Sequence, residues 1–139
     1  MSVRKGDREK DDLELINHSR ILVEYTYDRC HDRNIFPKSE RWLLVKNIWD
    51  MAIGARTNII QANSIRVESP EEAQERLAKE KMAIGQLETL VTLIDLCDIK
   101  DMITSERAEY WAGLATKVLY PLKHLLKTDK QRYGEYRYK

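Results

Sequence analysis

Apolar side chains recur every three or four residues in four separate stretches of this 139-residue chain. Such spacing places the apolar groups on one face of an α-helix, whereas a half-buried β-strand needs strict alternation. Glycine and proline, which punctuate folds rich in strands and turns, number only 5 and 3. The pattern therefore predicts an all-α fold in which four helices, joined by short loops, form an antiparallel up-down-up-down four-helix bundle.

The helix boundaries are predicted from capping residues and prolines. Ser69 is expected to cap the third helix, because Pro70 suits the first helical position and Glu72 supplies the acid of a capping box. Asp11 and Ser39 are expected to cap the first and second helices. The predicted helices cover residues 12–31, 39–65, 69–98 and a fourth stretch that begins at Thr104 or Ser105.

The bundle is expected to occupy residues 12–128, between a flexible basic N-terminus over 1–11 and a basic, tyrosine-rich tail over 129–139. Pro121 falls inside the fourth helix and predicts a kink, because proline lacks a backbone donor and clashes with the preceding turn. The second helix has two neighbouring apolar stripes. This predicts burial on more than one side or contact with another subunit.

The other three helices each have one set of residues that we expect to face the core. On the first helix these are Leu13, Ile16, Val23, Tyr27 and Cys30. On the third helix they are Leu77, Ile84, Leu87, Val91 and Ile94. On the fourth helix they are Trp111, Leu114, Val118, Leu122 and Leu125.

The formal net charge of +1 conceals an uneven distribution of charge along the chain. Residues 68–109 carry a net charge of −6, whereas residues 110–139 carry +5 and residues 1–10 carry +2. Basic ends that cluster on one surface can bind an anionic partner although the total charge is near zero. The alternative interpretation is a solvated helical surface with ordinary fluctuations in charge.

Composition also bears on where the protein works. No run approaches the ~18 apolar residues of a membrane-spanning helix. The first residues are charged and lack the apolar core of a secretory signal. Cys30 and Cys97 are too few to form a disulfide scaffold, which favours a reducing compartment. We therefore expect a cytoplasmic protein without a membrane partner.

The side chains that could perform catalysis form no recognisable active-site motif. Glu-x-x-His, a common metal motif of helical bundles, does not occur, and Glu14 and His18 are interpreted as a surface ion pair. Cys30 and His31 are adjacent and would point about 100° apart on a helix, so they cannot act as nucleophile and base. We predict a non-enzyme that holds no cofactor and no metal. An enzyme with a cofactor in the bundle core is the alternative, and metal analysis would test it.

Basic residues near aromatic residues favour a nucleic-acid partner, because they suit phosphate contact and base stacking. The fourth helix and tail interleave their bases with Tyr133, Tyr136 and Tyr138. Two further bases stand at the start of the second helix, where anions bind readily. The candidate nucleic-acid-binding residues are Lys117, Lys123, Lys127, Lys130, Arg132, Lys38 and Arg41. A solvated tail without a ligand is the alternative for the C-terminal set.

One segment resembles a known family. Phe36-Pro37-Lys38-Ser39-Glu40-Arg41-Trp42 resembles the Phe-Pro-Lys-Ser-x-Arg-aromatic signature that opens the second helix of a bacterial four-helix-bundle family. That family includes proteins encoded in 23S ribosomal RNA intervening sequences and the accessory variability determinant (Avd) proteins of diversity-generating retroelements. The resemblance extends over about residues 12–133 and includes Asn58-Ile59-Ile60-Gln61-Ala62-Asn63 and Tyr110-Trp111-Ala112-Gly113-Leu114. Arg4-Lys5, the long 64–72 connection and residues 129–133 make it nearer to the Avd proteins.

The resemblance implies a non-catalytic accessory protein of a reverse transcriptase. Avd proteins form ring-like homopentamers that bind the polymerase and template RNA or cDNA, and they support mutagenic retrohoming. Subunit contacts are expected at Trp42, Trp49 and Trp111, with burial inside one bundle as the alternative for each. The chain departs from the strongly basic family pattern, with a pI near 7.7. An orphan protein of the intervening-sequence type, with a ribosome-linked or RNA-linked role, is the other functional hypothesis.

Overall fold

A computed structural model describes residues 5–136, with side chains from residue 10 onwards. Within that range the chain forms four α-helices and no strand, which confirms the prediction of an all-α fold with four helices. The helices are α1 (Lys5–Cys30), α2 (Lys46–Ser64), α3 (Pro70–Ile99) and α4 (Ser105–Arg132). Arg4 and Tyr138, which entered the sequence argument, lie outside the described residues.

The structure changes the predicted helix starts. Helix α1 begins at Lys5, so Asp11 lies inside the helix and the prediction that it caps α1 is wrong. Ser39 does not cap the second helix either, because Pro37 occupies the N-cap position of a short 3₁₀ turn, Lys38–Glu40, with no side-chain cap. A π-helical turn, Arg41–Val45, then leads into α2. At the other end of the chain, α4 continues to Arg132, beyond residue 128.

The predicted cap of the third helix is confirmed. Ser69 Oγ accepts a hydrogen bond from the Glu72 amide at 3.2 Å, and Pro70 stands at the first helical position. The Glu72 carboxylate accepts from the Glu68 amide at 3.1 Å in return. Thr104 caps α4 in the same way, since its side chain accepts from the Arg107 amide. These bonds satisfy backbone donors that have no partner within the helix.

Helix α1 packs against α2 and α4, and α3 packs against α2 and α4. Residues near the end of α1 contact residues near the start of α4, as Thr26 and Trp111 do. Residues near the start of α3 contact residues near the end of α4, as Arg76 and Asp129 do. These contacts fix which helix ends lie side by side, and the end of α1 lies beside the start of α2.

The core face of α1 differs from the predicted one. Leu13 and Tyr27 are 67% and 51% exposed, so their assignment to the core is wrong. The buried residues are Leu15, Ser19, Leu22 and Thr26. The two polar members hydrogen-bond inside the protein: Trp111 Nε1 donates to Thr26 Oγ1 at 3.0 Å, and Arg56 donates to Ser19 Oγ at 2.9 Å. Because these partners satisfy both hydroxyls, a polar stripe can face the core.

Helices α3 and α4 follow their predicted faces more closely. On α4, Trp111, Leu114, Val118 and Leu122 are buried as predicted, whereas Leu125 is only partly buried. On α3 the predicted Leu87 and Ile94 are buried, whereas Leu77, Ile84 and Val91 are only partly buried. The other buried residues of α3 form a set that includes two charged side chains. That α3 set is Ala73, Arg76, Glu80, Ala83, Leu90 and Cys97.

Candidate nucleic-acid interface

A groove of about 800 Å³ lies between the end of α1 and the irregular start of α2. We call it the basic groove. It is lined by Tyr27, Cys30, His31, Arg33, Phe36, Pro37, Lys38, Arg41, Val45 and Trp49. Among the residues that the structure describes, no aspartate or glutamate lines it. Its three permanently charged side chains therefore give the groove a positive potential that no lining carboxylate neutralises.

The loop between α1 and α2 holds the groove in shape. The Phe36 amide bonds to the Asp32 carbonyl at 2.9 Å, and the Asn34 amide bonds to the Asp32 carboxylate at 2.9 Å. Phe36 is buried, and its ring meets the edge of Trp111 with centroids 6.5 Å apart. This contact anchors the loop to α4, so the neighbouring Arg33 and the start of α2 are positioned by the bundle core.

The π-helical turn sets which side chains at the start of the second helix face outward. Leu44 is buried in the core, whereas Trp42 and Leu43 are 76% and 75% exposed. Arg41 and Val45, one wide turn apart, both line the basic groove. π-turns of this kind are frequent at functional sites, because the extra residue changes the direction of side chains without ending the helix.

Three aromatic rings lie together at the groove. The Tyr27 and His31 rings are 4.2 Å apart at 37°, and Trp49 meets Tyr27 edge-on with centroids 5.8 Å apart. His31 Nδ1 lies 2.8 Å from the Tyr27 carbonyl, which can only accept, so Nδ1 carries the proton and donates. The cluster thus offers aromatic surface directly beside the basic side chains.

The cysteine in this groove does not provide a reactive thiolate. Burial, together with a smaller effect of the neighbouring Cys97, raises the pKa of the Cys30 thiol to about 12. The thiolate is the nucleophilic form of cysteine, and this environment disfavours it. The chemistry that the groove offers is therefore binding through charge, hydrogen bonds and stacking.

Two other predicted nucleic-acid residues lie in a second groove, of about 610 Å³, between α1 and α4. Lys117 and Arg132 line it, and so do Asp11, Asp12 and Glu14. Acids and bases are therefore mixed there, and the groove has no single sign of charge. His18 also lines it, and the predicted ion pair between Glu14 and His18 is not formed in the described structure.

Ion pairs engage part of the predicted basic set. Lys123 Nζ lies 3.3 Å from a carboxylate oxygen of Glu88 on the acidic third helix. Arg132 Nη1 lies 3.1 Å from Asp129 Oδ1, one turn earlier on α4. Both bases form an ion pair within the chain, which reduces the positive charge that they present to phosphate. Lys127 is exposed on the same helix.

Lys130 lies in a third place. It lines a groove of about 380 Å³ with Tyr133 and Tyr136, beside Lys81 of α3. The structure thus distributes the seven predicted basic residues over several surfaces. Of these residues, Lys38 and Arg41 share the acid-free basic groove.

The three tryptophans have different surroundings. Trp111 is 1% exposed and bonds to Thr26, so the prediction that it contacts another subunit is wrong. It is a core residue because α1 and Phe36 of the α1–α2 loop pack against it. Trp49 is partly buried against Tyr27, and Trp42 is the strongly exposed one.

Three residues that line the groove, Tyr27, His31 and Arg33, were not predicted from the sequence as binding residues. Tyr27 and His31 stand four residues apart at the end of a helix, a spacing that places them on one face. That signal was available, but Tyr27 was assigned to the core. Arg33 lies in the loop. Its position shortly before Pro37 was the only sequence feature that could have indicated it as a groove residue.

A buried charged cluster between α3 and α4 was also missed. Arg76 Nε lies 2.9 Å from Asp129 Oδ2 and 3.4 Å from Glu80 Oε2, and all three residues are buried. Burial and the neighbouring Asp129 raise the pKa of the Glu80 carboxyl to about 9, although Arg76 opposes this. Glu80 is therefore protonated at neutral pH. The cluster joins the start of α3 to the last turns of α4.

Within residues 5–136, no group of three or more His, Cys, Asp and Glu side chains is arranged to hold a metal ion. No helix in that range is both long and apolar enough to cross a membrane. Comparison of the chain with family models, curated proteins and solved structures gives no match.

Proposed function

We propose that this chain is a non-catalytic accessory protein of a diversity-generating retroelement. In this proposal it binds the reverse transcriptase and the template RNA or cDNA, and it supports mutagenic retrohoming. The observation that carries the proposal is the basic groove, since the signature segment 36–42 contributes Lys38 and Arg41 to a surface without lining acids. Phosphate contacts supply most of the affinity of proteins for nucleic acids, so such a surface suits RNA.

The location of the charges supports a role for this end of the molecule. The acidic third helix meets the fourth, where Glu88 pairs with Lys123. The groove at α1 and α2 is free of such pairing among its lining residues. A chain with a net charge of only +1 can therefore still present one surface that attracts a polyanion.

The assembly belongs to the same proposal. We propose an up-down-up-down bundle that forms a ring-like homo-oligomer, a pentamer by resemblance, with Trp42 at the subunit contact. Trp42 and Leu43 support this, because adjacent large apolar side chains that are three-quarters exposed are typical of interaction surfaces. A ring would also repeat the basic groove in every subunit, which increases the affinity for a long RNA through multivalency.

The test is copurification of the tagged chain with a reverse transcriptase encoded beside it, followed by recovery of the bound RNA. We expect the polymerase and its template RNA to copurify with the native chain. The Lys38→Gln/Arg41→Gln double variant should retain its helical content and lose most of the RNA. Arg66→Gln is the matched control, since Arg66 is exposed in the α2–α3 connection and lies outside the groove.

Failure of the polymerase to associate would contradict the proposal. The chain would then be an orphan bundle of the ribosomal RNA intervening-sequence type. In that case its gene should lie within a ribosomal RNA insertion rather than beside a reverse transcriptase. Equal RNA recovery with the double variant and with Arg66→Gln would show that the basic groove is not the RNA contact.

A further inference from the structure

We infer that the basic groove binds single-stranded nucleic acid, with an unpaired base stacked at the Tyr27 and Trp49 rings and phosphates on the surrounding bases. The inference rests on the proposed function, because it specifies how that same groove would take RNA or cDNA. It goes further because it names the ligand as unpaired nucleotides and assigns the bases to the aromatic side chains and the phosphates to the basic ones.

The aromatic cluster is the first argument. Tyr27 is 51% exposed although it sits among other rings, so part of its surface is free to accept a further ring. Trp49 lies beside it with centroids 5.8 Å apart, which extends the aromatic surface. Every base has a π-face, so base stacking on aromatic side chains tolerates any sequence and adds to the affinity.

The basic side chains are the second argument. Arg33, Lys38 and Arg41 line the same groove as the rings, and no carboxylate of the described chain lines it with them. Guanidinium and ammonium groups beside aromatic rings match a phosphate that follows a stacked base. An arginine also forms bidentate hydrogen bonds with phosphate oxygens, which helps to fix the position of the backbone.

The dimensions of the groove favour single strands. A volume of about 800 Å³ lies within the ~300–1,000 Å³ range of small-ligand sites, which suits nucleotide-sized groups. In a duplex the bases are stacked on one another, and the major groove of A-form RNA is too deep and narrow for side chains to read. The rings can therefore act only on bases that are already unpaired.

A salt titration should distinguish the contribution of the basic side chains to binding from that of the aromatic rings. The logarithm of the binding constant for a single strand falls by about 0.7 per contacted phosphate for each tenfold increase in salt. Three contacted phosphates give a slope of about −2. Stacking releases no counterions, so removal of a ring should lower the affinity and leave the slope unchanged.

The experiment measures the binding of a single-stranded RNA of about 12 nucleotides to the full-length protein at several salt concentrations, with the duplex of the same sequence alongside. We expect the single strand to bind at least about tenfold more tightly than the duplex. Tyr27→Leu should remove that preference at an unchanged slope. Arg33→Gln should reduce the slope by about 0.7 and keep the preference.

Two tryptophan variants give a spectroscopic check. Bound single-stranded RNA should quench the fluorescence of Trp49. Trp49→Phe keeps an aromatic ring, so it should bind RNA nearly as well as the native protein while losing most of the quenching. Trp42→Phe is the matched control and should leave the quenching intact, since Trp42 does not line the groove.

Equal affinity for single strand and duplex would overturn the inference, and so would an unchanged affinity in Tyr27→Leu. Polyglutamate that displaces the RNA at an equal concentration of charge would show that the groove recognises acidic protein segments instead. These results are distinguishable from failure of the proposed function. A chain that copurifies with the polymerase and RNA, yet is indifferent to Tyr27→Leu, retains its function and loses only the stacking mechanism.

Discussion

The side chain of Glu80 is fully buried between two charged residues of the helix junction. Arg76 and Asp129 both lie close to it, and Glu80 lines a small cavity together with Asp12 of α1. Burial disfavours the charged form of Glu80, and the neighbouring Asp129 carboxylate disfavours it further, although Arg76 opposes both. Glu80 keeps its proton for these reasons.

This raised pKa makes the stability of the protein depend on pH. The pKa of Glu80 is about 9 in the folded chain against an ordinary value of 4.5, so the folded state binds the extra proton between these limits. The contribution is fully present below about pH 4.5 and is lost as the pH rises through about 9. Glu80→Gln keeps a neutral group of similar shape, which removes this dependence.

We therefore expect the free energy of unfolding of Glu80→Gln to exceed that of the native protein by about 1 kcal/mol or more at pH 9. Urea unfolding at about pH 6 and about pH 9 measures the difference. Glu88→Gln is the control, because Glu88 is exposed and its pair with Lys123 contributes little. The same pH dependence in both variants would show that Glu80 is ionised in the folded chain.

At the scale of the helices, the two serines predicted as caps have different environments. Ser69 Oγ accepts from the Glu72 amide, whereas Ser39 sits inside a 3₁₀ turn and is exposed. Ser69→Ala should lower the free energy of unfolding by about 1 kcal/mol, the usual contribution of an N-cap. Ser39→Ala should change it by less than about 0.5 kcal/mol. Urea unfolding of both variants tests this, and equal losses would contradict the assignment of the caps.

The pattern of apolar residues shows how much of the fold could be predicted from the sequence. Apolar spacing was sufficient to predict four helices and the core face of α4, because packing of that face stabilises the helix. The same spacing failed to predict the core face of α1, where the polar residues Ser19 and Thr26 are buried. Their hydrogen-bond partners belong to helices that are distant in the sequence. Local signals cannot reveal such partners.

The candidate site shows the same limit. Lys38 and Arg41 could be predicted because they lie in a short segment next to a helix start. Tyr27 joins them only because the loop folds back and Phe36 anchors it against Trp111. A groove formed by two helix ends therefore needs the tertiary structure, even when two of its three charged side chains lie in one heptapeptide.

At the scale of the whole molecule, the exposed pair Trp42 and Leu43 has no role inside one chain. Residues this apolar remain three-quarters exposed at a cost in solubility, unless a second surface covers them. We expect light scattering of the purified native protein to give the mass of several chains. Trp42→Ser/Leu43→Ser should reduce this mass towards one chain and preserve helical content. Both side chains lie outside the core, so the bundle does not need them.

Tyr120→Ser is the matched control for that experiment. Tyr120 is 64% exposed on α4, in the groove between α1 and α4, so it is comparably apolar and accessible but lies on another surface. Its variant should keep the mass of the native assembly. A native protein that is monomeric would contradict the ring. If Tyr120→Ser loses the assembly and the double variant keeps it, the subunit contact lies on the α1–α4 surface instead. The basic groove, at the start of α2, would then remain accessible in the assembly.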